Sequence, residues 1–159
     1  ECSRHIHSVR RTTVLSQTAL YSIRVMSYIA AFGGEGPVLA KTIGEEMDIP
    51  LNFLSKIANK LVQAGLLHSL RGKNGGFVLA RDPGEIRLSE IVSLFMNLGD
   101  IRRCFLGLNR CTTGCTIHDK WTSIVDQFQA LVNDTTIDQV LKTGECRDVK
   151  PLKGRKAHE

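Results

Sequence analysis

The stretch that decides the fold covers residues 51–80 and reads LNFLSKIANKLVQAGLLHSLRGKNGGFVLA. Apolar residues recur at helical spacing from Leu51 to Leu61, and Gly65 stands where a glycine commonly ends a helix. Residues 66–70 and 77–80 are short apolar runs, which we predict to be strands. The basic, glycine-rich segment 71–76 between them is typical of a hairpin turn.

The segments before this stretch predict two further helices. Residues 15–33 carry a helical apolar pattern that ends at a glycine-rich segment. A short helix follows with Leu39, Ile43 and Met47 on one face, and Asp48-Ile49-Pro50 breaks it because the residue before proline resists the helical region. Three helices and a basic hairpin predict a mainly α fold with a small β-hairpin wing, a winged helix-turn-helix. In such a fold the third helix enters the major groove, and the hairpin lies on the backbone or in the minor groove.

The chain after residue 84 is predicted to return to helix. One helix carries an apolar face from Ile91 to Leu98, a long helix runs from about His118 to Val132, and a short last helix covers residues 137–142. The long helix has a coiled-coil-like stripe that predicts a homodimer. Packing of this stripe on the chain's own first helix is the alternative. The stripe consists of Trp121, Ile124, Val125, Phe128, Leu131 and Val132.

The third helix and the hairpin carry side chains suited to DNA. Asparagine and serine can bind base edges, and lysine or arginine can bind guanine or neutralise phosphate. Every amphipathic helix has a polar face and a hairpin can carry merely solvated charges, so these alternatives stay open. The candidate contacts are Asn52, Ser55, Lys56, Asn59 and Lys60 on the helix, and Arg71, Lys73, Asn74 and Gly75 in the hairpin.

A cysteine cluster follows the predicted DNA-binding half, with the pattern Cys104-x6-Cys111-x3-Cys115-x2-His118. Thiolates are soft ligands for iron–sulfur clusters or zinc, and a neutral imidazole can complete the set. Two alternatives are buried small side chains and a disulfide framework. A metal site attached to a DNA-binding domain indicates a regulator whose binding depends on the metal.

Composition limits the function classes. The chain has 159 residues, 42% of them hydrophobic, and a net charge of +5, which suits a polyanionic partner. It has no secretory signal, no apolar run of membrane-spanning length and no catalytic grouping, so we expect a cytoplasmic protein that is not an enzyme and has no membrane partner. We divide it into a leader or tag (1–13), a winged-helix domain (14–84), a cysteine loop with dimerisation helices (85–147) and a disordered basic tail (148–159).

Several stretches together resemble the Rrf2 family of winged-helix regulators, which includes the IscR and NsrR types. They are LSQTALYSIR (15–24), LVQAGLL (61–67), LRGKNGGF (70–77) and CTIHDKW (115–121), and the resemblance covers residues 15–143. It implies a homodimeric transcription factor, usually a repressor, on a palindromic operator in double-stranded DNA.

The resemblance also implies a cofactor. Cys104, Cys111 and Cys115 would hold a 2Fe–2S or 4Fe–4S cluster that senses nitric oxide, redox state or iron–sulfur status. Leu20 falls where some NsrR-type members have a ligating carboxylate, so we expect His118 to be the fourth ligand, as in the IscR type. The spacing of the cysteines is less even than is typical of the family. A zinc-stabilised regulator, a metal-free thiol switch and a small electron-transfer protein are the alternatives.

Overall fold

The computed structural model of the protein describes residues 14–72, 75–106 and 115–142. The helices are α1 (Gln17–Phe32), α2 (Ala40–Met47), α3 (Leu51–Gln63), α4 (Leu88–Ser93), α5 (Thr116–Asp134) and α6 (Ile137–Lys142). The strands are β1 (Leu67–Leu70) and β2 (Gly76–Leu79), and short 3-10 helices cover Gly33–Glu35, Pro83–Glu85 and Leu98–Arg102.

Helix α1 lies at the centre of the fold. Its first turn is capped by Ser16, whose hydroxyl accepts a hydrogen bond from the backbone N–H of Ala19 at 3.2 Å. Val25, Met26 and Ile29 are fully buried, and the helix packs against α2, α3, α4, α6 and β2. The helix predicted over residues 15–33 is confirmed, but it begins two residues later and ends one residue earlier.

Helices α2 and α3 form the helix-turn-helix. Asp48 ends α2 in the left-handed conformation with φ 51°, and its neighbour Ile49 donates a backbone hydrogen bond to Gly44 at 2.9 Å. Pro50 then precedes the first residue of α3. Leu54, Ile57 and Leu61 on α3 are buried in the core, at the positions that the helical pattern predicts.

Strands β1 and β2 pair antiparallel and form the wing, with Leu67 opposite Leu79 and Leu70 opposite Gly76. Val38, just before α2, exchanges two backbone hydrogen bonds of 2.9 Å with Phe77 of β2. The wing is therefore attached to the helix-turn-helix by backbone pairing as well as by side-chain packing. The predicted fold class, mainly α with a small hairpin wing, is confirmed.

The fourth helix is shorter than its apolar pattern indicates. We predicted helix up to about Leu98, but α4 ends at Ser93 and a separate 3-10 helix covers Leu98–Arg102. Asn97 stands between them and its side-chain oxygen accepts a hydrogen bond from the N–H of Gly99 at 3.0 Å. Asparagine side chains bind nearby backbone N–H groups in this way, and this hydrogen bond caps the start of the 3-10 helix.

Helix α6 returns to the centre of the fold. The backbone N–H of Thr136 donates to the side chain of Gln139 at 3.0 Å, which is one half of a capping box. Ile137 is fully buried, and its N–H donates to Ile86 at 3.0 Å. One hydrophobic cluster therefore contains residues from both sides of residue 84: Val25, Met26, Ile29, Leu54, Ile57, Ile86, Ile91, Val132 and Ile137 are among its members.

The salt bridge between Arg81 and Glu90 supports the start of α4, with a distance of 2.6 Å between Arg81 Nη2 and Glu90 Oε2. Partial burial raises the pKa of Glu90, but hydrogen bonds from the Arg81 side chain and the Arg87 backbone outweigh it and leave the pKa lower than usual. The predicted leader and basic tail lie outside the described residues. No helix in the described ranges is long and apolar enough to cross a membrane.

Candidate nucleic-acid interface and cysteine loop

The outer face of α3 carries all five helix residues predicted to contact DNA. The opposite face is locked into the core by Leu54, Ile57 and Leu61. The helix contains no acidic residue, so its exposed face combines cationic and amide side chains without local negative charge. Such a face suits contacts to phosphate and base edges. The predicted contacts on this face, all exposed, are Asn52, Ser55, Lys56, Asn59 and Lys60.

Two of these five side chains are engaged within the protein. The hydroxyl of Ser55 donates to the Leu51 carbonyl at 2.8 Å. The ammonium of Lys60 donates to the Leu94 carbonyl at 3.4 Å and lies 5.4 Å from the centroid of the Phe95 ring. Lys60 therefore leans towards the end of α4. The side chains of Asn52, Lys56 and Asn59 form the other part of the face, and they make no hydrogen bond or ion pair with another residue that the structure describes.

Glycines shape the wing through contacts inside the protein. A Cβ on Gly75 would lie 2.3 Å from the Leu70 carbonyl oxygen, and one on Gly76 would lie 2.4 Å from the Val38 carbonyl oxygen. Gly75, one of the candidate DNA contacts, is buried, and the hairpin itself requires glycine at this position; its contact with DNA stays a prediction. Arg71 is exposed before the turn, and Gly72 has φ +112°. Lys73 and Asn74 lie outside the described residues.

The cysteine loop is described only at its two ends. Cys104 and Cys115 are half-buried. His118 is exposed one turn into α5, and its backbone N–H donates to the Cys115 carbonyl at 3.0 Å. Cys111 lies outside the described residues. Within residues 14–72, 75–106 and 115–142, no three potential ligands come together as a metal site.

The segment just before Cys104 is bonded to α5. We call residues 98–103 the stem of the cysteine loop. The indole N–H of Trp121 donates to two stem carbonyls, those of Ile101 at 3.1 Å and Arg103 at 3.0 Å. The guanidinium of Arg102 contacts Asp126 at 2.6 Å and Gln129 at 2.7 Å. The sequence predicts Trp121 only as part of the stripe and gives no sign of these links, which join residues 18–27 positions apart.

Helix α5 has a buried face and a separate exposed apolar stripe. Val125 and Val132, both 1% exposed, pack inward, so the predicted stripe of the sequence analysis divides in two. Helix α5 packs on α4 and on the 3-10 helix of the stem. Ile117, Ile124 and Leu131 remain exposed at 45%, 55% and 58%. They recur every seven residues, and the heptad spacing was the signal that could have added Ile117 to the prediction.

Comparisons with known proteins agree with this architecture. The family model described as "Rrf2: Iron-dependent Transcriptional regulator" matches residues 15–143. A relative named HTH-type transcriptional regulator IscR, from Cronobacter sakazakii, is 30% identical over 146 residues, which cover 91% of this chain and 90% of the relative.

Two solved structures share the fold. The structure titled T. potens IscR has a TM-score of 0.68 at 24% identity and covers 90% of this chain and 95% of its own. CymR, titled the global cysteine regulator of B. subtilis, also has a TM-score of 0.68 at 24% identity, with 82% of this chain and 98% of its own covered. The matched family consists of transcriptional regulators and not of enzymes. From the winged helix and the family match over residues 15–143, we conclude that this chain belongs to the Rrf2 family of transcriptional regulators.

Proposed function

We propose that this regulator is a cytoplasmic homodimer and acts as a repressor. It binds a palindromic operator in double-stranded DNA. The exposed, acid-free face of α3 carries this proposal. Lys56 and Asn59 on that face are available to phosphate and base edges, and Arg71 is exposed on the attached wing. Lys73, Asn74 and Gly75 remain proposed parts of the wing contact, with Gly75 acting through the shape of the hairpin.

The exposed stripe on α5 supports the homodimer. Three large apolar side chains, Ile117, Ile124 and Leu131, are about half exposed in the single chain and follow a heptad spacing. A second copy would cover them through a self-complementary contact. Such a dimer would present two α3 helices to half-sites about 34–36 Å apart, one turn of DNA, as two-fold symmetric operators require.

We further propose that Cys104, Cys111, Cys115 and His118 hold an iron–sulfur cluster. The residue types suit this group, because two half-buried thiols stand at the ends of the loop and His118 follows Cys115 by three residues, although Cys104, Cys115 and His118 do not come together as a metal site in the described structure. Thiolates with one imidazole are a ligand set that such clusters use. The family description as iron-dependent supports the assignment. When bound, the cluster supplies a redox-active centre that responds to oxidants, nitric oxide or iron–sulfur status.

The chain's own residues would connect this centre to DNA binding. Cys104 and Cys115 would fix the two ends of the loop relative to each other, and α5 begins directly at Cys115. A change in the loop would therefore act on the helix that carries the exposed stripe. The spacing or tilt of the two α3 helices would shift, and operator affinity would change with it.

The test starts with protein purified without oxygen. We would measure the visible absorption spectrum with iron and sulfide content, and the affinity for DNA selected from a random-sequence pool by the wild-type protein. The variants are Cys104→Ala and, as a matched control, Cys146→Ala outside the ligand set. We expect a coloured wild type, a coloured Cys146→Ala variant and a colourless Cys104→Ala variant whose operator affinity no longer responds to nitric oxide or oxidant.

The alternatives give different results in the same assays. A colourless wild type with one zinc per chain would replace the cluster by a structural zinc ion. Operator binding that responds to oxidant in a metal-free protein would establish a thiol switch. Absence of sequence-selected DNA in any state would contradict the regulator proposal itself.

A further inference from the structure

Trp121 holds the chain on both sides of Cys104. Its indole N–H donates to the carbonyls of Ile101 and Arg103 at 3.1 and 3.0 Å. Its ring packs on the ring of Phe105, with centroids 5.3 Å apart and an angle of 56° between the planes. Cys104 lies between these contacts in the chain. Trp121 therefore holds the backbone next to Cys104 against α5.

Arg102 fixes the same stem further along α5. Its Nη2 atom lies 2.6 Å from Asp126 Oδ1 and 2.7 Å from Gln129 Oε1. Gln129 in turn donates to the Leu98 carbonyl at 3.5 Å, at the other end of the stem. The ion pair is about half exposed, 50% for Arg102 and 54% for Asp126, so it contributes little alone. Together with Trp121, it attaches the stem to α5 along more than two helical turns.

These attachments lie on a particular side of α5. His118, Asp126 and Gln129 are spaced by eight and three residues, which places them along one side of a helix with 3.6 residues per turn. Trp121, Val125 and Val132 form the adjacent inner face, and the stripe residue Ile124 lies beyond it. The stem is thus held by Trp121 on the inner face and by Asp126 and Gln129 on one flank of α5, and the exposed stripe runs along the other flank. A displacement of the stem would roll α5 about its buried face and reorient the stripe.

We propose that Trp121 and Arg102 are positioning residues that couple the cysteine loop to α5 and, through α5, to the spacing of the two α3 helices. This inference rests on the proposed function and names the route by which the loop acts. Coupling of this kind requires a physical link with measurable energy between the two sites. The four stem–α5 hydrogen bonds made by Trp121 and Arg102 are that link.

The neighbouring arginines provide a matched pair of variants. Arg102→Gln and Arg103→Gln each remove one positive charge beside Cys104. Arg102 contacts α5, whereas the Arg103 side chain pairs with Asp100 within the stem at 2.9 Å and is 79% exposed. A third variant, Trp121→Phe, keeps an aromatic ring but removes the indole donor. The pair separates an effect of charge near the thiols from an effect of the attachment to α5.

The first measurement uses metal-free protein and needs no cluster. Trp121 is the only tryptophan in the chain, so its fluorescence reports on the stem alone. We expect acrylamide, a neutral quencher, to reach Trp121 more readily in Arg102→Gln than in the wild type or Arg103→Gln. Equal quenching in all three proteins would overturn the attachment.

The second measurement is the ratio of operator affinities with and without the cluster, using DNA selected by the wild-type protein. Coupled sites commonly change affinity about 5- to 150-fold, and we expect Arg102→Gln and Trp121→Phe to reduce the wild-type ratio about two- to fivefold at equal iron content. Arg103→Gln should keep the ratio. If both Arg102→Gln and Trp121→Phe keep the wild-type ratio of affinities, the coupling is overturned. A wild type that binds no cluster would contradict the proposed function, and the quenching comparison would still decide the attachment.

Discussion

Replacing Ile124 by glutamate should dissociate the proposed homodimer. Complete burial of an isoleucine side chain stabilises by about 1.5–3 kcal/mol, and 55% of Ile124 is still exposed in the single chain. Covering the rest would contribute about 1 kcal/mol per copy, and a two-fold symmetric interface contains the residue twice. The loss of about 2 kcal/mol corresponds to a dimer dissociation constant about thirtyfold higher. The buried carboxylate adds a desolvation cost, so thirtyfold is a lower bound.

The assay is sedimentation velocity over a range of protein concentrations, with operator binding measured in parallel. Asn133→Glu is the matched control because it adds the same charge to an exposed position of α5. Asn133 lies nine residues from Ile124, two and a half turns away, and therefore on the opposite side of the helix. Both variants should keep the wild-type circular dichroism, since neither position is buried. If Ile124→Glu sediments like Asn133→Glu and the wild type, the stripe is not the dimer contact.

Three further predictions concern the wing, helix α3 and the start of α4. Gly76→Ala should lower the free energy of unfolding by about 1–3 kcal/mol in urea denaturation, because the added Cβ would lie 2.4 Å from the Val38 carbonyl oxygen. Lys56→Ala should reduce the slope of log affinity against log salt by about 0.9 if Lys56 neutralises one phosphate, and Lys60→Ala should reduce it less because its ammonium contacts Leu94 and Phe95, just after α4. Glu90→Gln should be less stable than the wild type at neutral pH, and the difference should shrink as the pH falls below the usual carboxyl value of 4.5, because a lowered folded-state pKa stabilises only while the carboxylate is ionised.

Each of these has a control or an outcome that contradicts it. Gly34→Ala should leave stability almost unchanged, since an added Cβ there meets nothing within 4 Å. Equal losses of unfolding free energy in Gly76→Ala and Gly34→Ala would show that the contact with Val38 is not the cause. An unchanged salt slope in Lys56→Ala would show that Lys56 does not neutralise a phosphate. A Glu90→Gln variant whose stability difference stays constant from neutral to acid pH would show that the Arg81 pair contributes nothing through charge.

The DNA-binding half could be read from the sequence because its boundaries are set by local chemistry. Asp48-Ile49-Pro50, Gly65 and the glycine-rich turn act through the backbone of a few neighbouring residues. The observed ends of α3 and of both strands therefore differ from the predicted ends by no more than one residue. The early end of α4 was not predicted, because the apolar pattern continues through Leu94 and Phe95 while the competing hydrogen bond of Asn97 leaves no trace in that pattern.

The candidate site was predictable in its residue types but not in its connections. The spacing of the thiols predicts soft ligands wherever the loop lies, and this stays a prediction. The contacts of Trp121 and Arg102 join segments that are distant in the chain, and nothing near either residue indicates its partner. Likewise, a helical stripe shows that a face is apolar but not what covers it. The chain itself covers Val125, whereas Ile124 stays exposed.

The division of α5 into faces suggests why a regulator would place its cysteines where this chain does. A loop inserted on a solvated surface could change shape without consequence for the DNA-binding helices. Here the loop leaves from a stem bonded to one flank of α5 and rejoins the chain at the first turn of the same helix. The opposite flank carries the exposed stripe. Both ends of the loop therefore act on one rigid element, and a rotation of that element in each copy of the proposed dimer would alter the separation of the two α3 helices, which has to match the spacing of the operator half-sites.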